Sequence, residues 1–264
     1  MSDYETIELD VSRAGVAVVL LRRPEKRNAL NAEVIAELAD VFELLSKNTE
    51  VRLVLLRGAG PVFSAGADIE WMRAASDYTV QENEEDAFAM AEMLRRLHCL
   101  PQVTVALLHG AAMAGAAGIA AACDIAVARR GTRFAFSEVR LGIIPATISP
   151  YIIAAIGPRA ARALFVTGEV FDEVEAHRLG LVQFVAEDET DMEAIAERLA
   201  GLVFAASPAA IADAKELVSE VYGEPINGEL SRMTARRLAQ RRVSPQGREG
   251  LNAFLEKRRP GWAE

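Results

Sequence analysis

Two stretches of small residues and one carboxylate are where this chain could do chemistry. The stretch HGAAMAGAAGIAAACD, residues 109–124, follows an apolar run at Val103–Leu108 that reads as a buried strand. Almost every residue in it is Ala or Gly. Glycines at 110, 115 and 118 each cost a helix about 1 kcal/mol against alanine, and that cost is tolerated where backbone must approach something closely. A strand that ends in glycines and opens an alanine-rich helix aims unpaired N–H groups at whatever lies above it. That arrangement suits an anion or a developing oxyanion. Tight packing of the helix on a neighbour would explain the same composition. The stretch Phe63-Ser64-Ala65-Gly66-Ala67-Asp68 repeats the pattern on a loop after another strand, and Glu138 follows a third strand at residues 133–136. A solvated or ion-paired surface position is the alternative reading of Glu138.

Other chemistries fail on inspection. Gly58-Ala59-Gly60 starts like a dinucleotide fingerprint, but the sixth position is Phe63, and no phosphate-binding GxxxxGK sequence occurs. Ser64 lies in VFSAG, where Val62 replaces the first glycine of a nucleophile elbow. His98, His109 and His177 sit in unrelated segments with no ligand spacing, so no metal site is expected.

The elements that must position these residues follow from periodicity. Strands are expected at residues 6–11, Val16–Leu21, 53–56, Val103–Leu108, 124–128 and 133–136. Helices are expected from Asn31 (Val34, Leu38, Val41 and Leu45 share a face), over the segment marked by Ala87, Met90, Ala91, Leu94 and Leu97, and at 147–155 and 159–166 on either side of Gly157-Pro158. Residues 72–86, polar and acidic, read as a mobile surface segment. Asp172 and Glu175 resemble a capping box for a helix to Leu179. From Asp191 on, the pattern is wholly helical: 192–205, Pro208–Val221, 226–242, and 245–258 with Ser244 as N-cap. The recurring order describes an α/β spiral of strand–strand–helix turns in residues 1–200, followed by a helical region, 201–264.

With 264 residues, 51% hydrophobic and 25% charged, the chain can bury a sizeable core. A net charge of −9 disfavours nucleic acid and anionic membrane as partners. Cys99 and Cys123 read as thiols in a reducing compartment. The acidic start MSDYETIELD is no signal peptide, and the apolar runs are too short to span a bilayer, so a cytoplasmic location is expected.

The ordered set RNALN, FSAGAD, HGAAMAG, ACDIAVA, SEVRLGIIPA, TGEVFDEVEAHRLGLV and FLEKRRP resembles the enoyl-CoA hydratase/isomerase (crotonase) superfamily over nearly the whole chain. The resemblance implies a crotonase-like spiral whose C-terminal helical region mediates assembly into a trimer or dimer of trimers. It implies no cofactor, because a coenzyme A thioester is the substrate. The N–H groups of Ala67 and Gly115 would polarise the thioester carbonyl, with Glu138 as acid/base. CoA contacts would come from Lys26, Arg27, Ala65, Asp68, Ile69, Phe254 and Lys257. Gly118 and Trp71 would line the acyl pocket.

The family's hydratases use two glutamates. Glu138 matches one; Gly118 stands at the other, so the two-glutamate mechanism does not transfer unchanged. Hydration of a 2-enoyl-CoA, or its reverse, is the expected reaction, with double-bond isomerisation by a single glutamate as alternative. Within the superfamily, AGADIEWM, SEVRLGIIPATISPY and the C-terminal segment are most similar to bacterial methylglutaconyl-CoA hydratase-type sequences of branched-chain degradation. That leaves Arg73, Arg140 or a neighbouring subunit as the source of a cation for a distal carboxylate. Acyl-CoA or RNA binding without catalysis is the reading from another class. The net charge and the lack of a basic, aromatic-bearing stripe argue against RNA.

Overall fold

The computed structural model describes residues 4–263; residues 1–3 and 264, the outer ends of the two expected regions, lie outside it. The chain opens with the hairpin β1 (Ile7–Val11) and β2 (Val16–Leu21). Helix α1 (Ala32–Ser46) starts at Asn31, whose side chain accepts the Val34 N–H, and it buries Val34, Leu38, Val41 and Leu45 as their spacing predicts. Strand β3 (Leu53–Gly58) follows, then α2 (Ile69–Ala75) and α3 (Val80–His98).

These two helices correct the expectation of an irregular segment at 72–86. Thr79 caps α3 through the Glu82 N–H while the Glu82 carboxylate returns to the Thr79 N–H. This capping box nucleates helix in a stretch whose side chains face water, so composition alone misreads it.

Next come β4 (Val103–Leu108), β5 (Ala111–Met113), α4 (Gly115–Ala122), β6 (Ile125–Arg129) and β7 (Arg133–Ala135). Helix α5 (Ser149–Thr167) is broken at Gly157, where φ is +76° ahead of Pro158, as the two separate helical runs in the sequence anticipate. Strand β8 (Val170–Asp172), α6 (Glu173–Leu179, capped by Asp172) and β9 (Phe184–Ala186) precede the C-terminal helices α7 (Glu189–Ala205), α8 (Pro208–Val221), α9 (Gly228–Val243) and α10 (Pro245–Glu256).

The strands form two sheets. The larger has the order β1-β2-β3-β4-β6-β9, parallel throughout except for β1. The smaller has the order β5-β7-β8, with β5 and β7 parallel and Met113 opposite Ala135. Bridges Leu30↔Ala67 and Ser64↔Ala112 carry the loops after β2 and β3 into this second layer. Successive turns of the chain thus give a strand to the first sheet, a short piece to the second, and a helix. That is the expected spiral.

Alternate residues of the central strands face two separate apolar clusters. Val54, Leu56, Ala106 and Leu108 pack with α1, α3 and α4, whereas Leu53, Leu55, Val105 and Leu107 pack with α7. Burial on both faces explains why these strands read as unbroken apolar runs. Helix α7 buries Met192, Ala196, Leu199 and Val203 in this second cluster and passes through residue 200. The helices outlying the sheet core begin at α8. Helices α8 and α9 bury no residue fully and α10 buries only Ala253.

Gly110 links β4 to β5 with φ +65°, and a Cβ there would lie 2.3 Å from the Pro61 carbonyl oxygen. Gly110→Ala should therefore lower stability by at least about 2 kcal/mol, measured by denaturant unfolding.

Candidate active site

The loop 63–68 is held from both sides by backbone hydrogen bonds. On one side Ala65 N–H donates to Arg27 O (3.0 Å), Leu30 N–H to Gly66 O (2.7 Å) and Asp68 N–H to Leu30 O (2.8 Å). On the other, Phe63 N–H donates to His109 O (2.8 Å), Ser64 N–H to Ala111 O (3.0 Å), and Met113 N–H to Ser64 O (3.2 Å). In the parallel bridge Leu30↔Ala67 the residues flanking Ala67 make the bonds. The N–H of Ala67 therefore points away from Leu30, and it has no backbone acceptor among the described residues.

The second donor lies against this loop. Gly66, at φ +97°, comes so close that an added Cβ would stand 3.2 Å from Met113 O and 3.6 Å from Ala114 Cβ. An added Cβ on Gly115 would lie 3.1 Å from Cδ1 of Leu30, the residue bridged to Ala67. Ala114 takes φ +49° and ψ −116°, a conformation that costs an alanine on the order of 1–3 kcal/mol. Its N–H is tied to Ala135 O at 2.8 Å. This bend starts α4 abruptly at Gly115. Gly118 is the first residue whose N–H bonds back, to Ala114 O, so the Gly115, Ala116 and Ala117 N–H groups precede the intrahelical ladder. The positive end of the helix dipole is at the same place.

Glu138 arrives from the neighbouring strand. Because β5 and β7 run parallel with Met113 beside Ala135, the chain leaves both strands at the same end of the small sheet. Glu138 opens the 3-10 turn Glu138–Leu141 three residues beyond β7. Its Oε2 is buried and has no hydrogen-bond partner among the described residues. Burial pushes the carboxyl above the usual carboxylate range, with its own backbone N–H pulling the other way and no neighbouring charge contributing. A buried, unpartnered carboxylate of this kind is unsatisfied as a structural group and suited to exchanging protons with a ligand.

Sequence reasoning missed the residues that brace the loop. Arg23 donates to Ala29 O (2.6 Å) and forms an ion pair with Asp68 at 3.0 Å. Asn28, at φ +51°, donates to the carbonyls of Ala59 and Val62 and accepts the Arg23 N–H. Asparagine tolerates that left-handed backbone better than most residues, which is the one signal that RNALN offered. Asp68, expected among the CoA contacts, caps α2 with its carboxylate through the Glu70 N–H and pairs with Arg23. Burial pushes its carboxyl up, but the Glu70 N–H and the Arg23 guanidinium outweigh this and hold it low.

The other expected residues divide into two places. Lys26, Arg27, Ala65 and Ile69 are exposed around the loop that carries Ala67, with Lys26 3.4 Å from Glu70 and the Arg27 side chain unpaired. Trp71, half-buried on α2, donates its indole N–H to Asp86 on α3 at 3.0 Å. Phe254 and Lys257 lie at the end of α10, which packs against α8 and α9. Gly118 is a correction. It is buried, and a Cβ there would lie 2.2 Å from Cγ2 of Ile148. The space expected for part of an acyl group is filled by that side chain.

Comparison with known proteins shows the family and the fold. Residues 12–264 match the family described as enoyl-CoA hydratase/isomerase. A Thermus thermophilus protein provisionally named an enoyl-CoA hydratase is 34% identical over 96% of this chain and 99% of its own length. The crystal structure of an enoyl-CoA hydratase from Shewanella pealeana superposes with a TM-score of 0.95 at 37% identity, covering 98% of this chain and 97% of that one. One from Mycobacterium smegmatis gives 0.91 at 31% identity, covering 98% and 100%.

Two outcomes follow from the geometry. Arg23→Leu strands the Asp68 carboxylate in a largely buried place and should cost about 3 kcal/mol in unfolding free energy. Glu138 has a raised folded-state pKa, so the stability linked to it is present below the unfolded value and is lost as pH rises through the folded one. Glu138→Gln should thus be more stable than the parent at pH 8, with the gap in Tm closing toward pH 4.

Proposed function

The chain belongs to the enoyl-CoA hydratase/isomerase family, and we propose that it adds water across the double bond of a 2-enoyl-CoA, or removes it in the reverse direction. The observation that carries this reading is the buried, unpartnered carboxylate of Glu138 at the same end of the small sheet as the free N–H groups of Ala67 and Gly115. The two N–H groups hold the thioester oxygen. Glu138 takes a proton from water as the water oxygen bonds to the β-carbon, and the π electrons move through the α-carbon onto the thioester oxygen as an enolate. The carbonyl re-forms as Glu138 returns the proton to the α-carbon. Atoms and charge balance with one carboxylate, and no redox cofactor is needed. Each oxyanion donor is worth on the order of 10²–10³ in rate.

CoA phosphates would be met by Lys26 and Arg27, both exposed beside the loop. Phe254 and Lys257 would join them from a neighbouring copy in a trimer. The apolar residues left exposed on α8, α9 and α10, among them Val218, Leu238, Leu251 and Leu255, support such assembly. For the acyl group we favour a branched enoyl-CoA of the methylglutaconyl kind, on the strength of the sequence motifs. The presence of one carboxylate where the family's hydratases have two favours a second reading, isomerisation of a 3-enoyl-CoA through the same enolate.

Loss of the conjugated thioester absorbance with 2-enoyl-CoAs, and its gain with 3-enoyl-CoAs, separates the two reactions. In either case Glu138→Gln should lower kcat by about 10²–10⁴ while acyl-CoA binding persists. Wild-type turnover in a folded Glu138→Gln protein would remove Glu138 from the reaction.

A further inference from the structure

Glu138 and Ile148 stand at opposite ends of one connecting segment between β7 and α5. The Glu138 end is closed by a hydrogen bond from Ile143 N–H to Glu138 O (3.2 Å), and at the other end Ile152 N–H bonds back to Ile148 O (3.1 Å) as α5 begins. Between them Leu141, Ile143 and Ile144 are 61%, 54% and 72% exposed and cannot hold the segment down. Pro145 and Ile148 are its buried residues, and Ile148 is only 1% exposed.

Ile148 is seated on bare backbone. Gly118 lies one helical turn beyond Gly115, and a Cβ added there would fall 2.2 Å from Ile148 Cγ2 and 2.8 Å from Ile148 Cβ. No real side chain fits at that spacing. The contact joins the helix that presents the Gly115 N–H directly to the segment that presents Glu138. Ile148 thus seats on α4 the far end of the segment that begins with Glu138. A misplacement of about 1 Å can cost on the order of 100-fold in rate.

We propose that Ile148 is a positioning residue for the reaction: its Cγ2 methyl, seated on Gly118, fixes Glu138 relative to the Gly115 N–H and takes the room that any side chain on that face of α4 would need. This inference rests on Glu138 being the acid/base. It adds a reason for the single-carboxylate site, since Gly118 and Ile148 form one interlocked pair.

Two substitutions separate positioning by the methyl from general packing. Ile148→Val keeps Cγ2 and loses volume, whereas Ile148→Leu keeps volume and loses Cγ2. Expected is a kcat within about twofold of the parent for Ile148→Val and at least about tenfold lower for Ile148→Leu, with KM within about twofold in both. Gly118→Ala should also lower kcat by about tenfold or more, and Gly118→Ala combined with Ile148→Ala should regain part of that loss, because a methyl is removed from the crowded contact. The proposal is overturned if folded Ile148→Leu turns over as fast as Ile148→Val, or if the losses in the double variant simply add. Glu138→Gln run alongside tells the two failures apart. If it retains activity, the acid/base reading falls; if it is inactive while Ile148 shows no such pattern, only the positioning role falls.

Discussion

The site depends on a short length of backbone, residues 63–68, being pinned between two neighbours at once. Bonds to residues 27–30 and to residues 109–113 use up the N–H groups of Phe63, Ser64, Ala65 and Asp68. The alternation of a bridged strand then leaves the Ala67 N–H directed away from Leu30. A donor held this way does not need to reorganise when charge develops beside it, which is the condition for strong electrostatic stabilisation. Arg23, Asn28 and Asp68 serve the same end. They bond the Ala29, Ala59 and Val62 carbonyls and the Glu70 N–H, backbone groups on the segments that flank the pinned loop.

Strain and desolvation are concentrated where that loop meets α4 and Glu138. Ala114 holds a backbone conformation better suited to glycine, and Glu138 holds a carboxylate oxygen away from any partner. Neither contributes stability, and both are sustained by the double-faced core of the parallel sheet beneath. Unfavourable features of this kind are what a reactive site requires.

The outlying helices form a different kind of structure. Helices α8 to α10 are well capped by Ser207, Asn227 and Ser244, yet they keep large apolar residues in solvent. Their local signals decide that they are helices, while packing within the chain leaves these apolar residues exposed. An ion pair between Lys215 and Asp124 at 2.7 Å ties the first of them to the spiral.

Most of the fold was legible in the residues themselves. Apolar runs at β2, β3 and β4 announced strands buried on both faces, and caps at Asn31, Asp172 and Ser244 fixed helix starts, because these depend on neighbours along the chain. The small residues at 63–68 and 109–118 marked places where segments approach closely, as the contacts of Gly66, Gly110 and Gly118 show. Polar composition at 72–86 misled, since a capping box outweighs it, and three-residue strands such as β8 and β9 are too short to show a period. What only the tertiary structure decided is which groups remain free. That Asp68 is consumed by Arg23, that Ile148 fills the space beyond Gly118, and that Glu138 lacks a partner are all contacts between segments distant in sequence. A sequence specifies which groups can donate, accept or ionise; the packing of remote segments determines which of them are left unsatisfied and therefore available for chemistry.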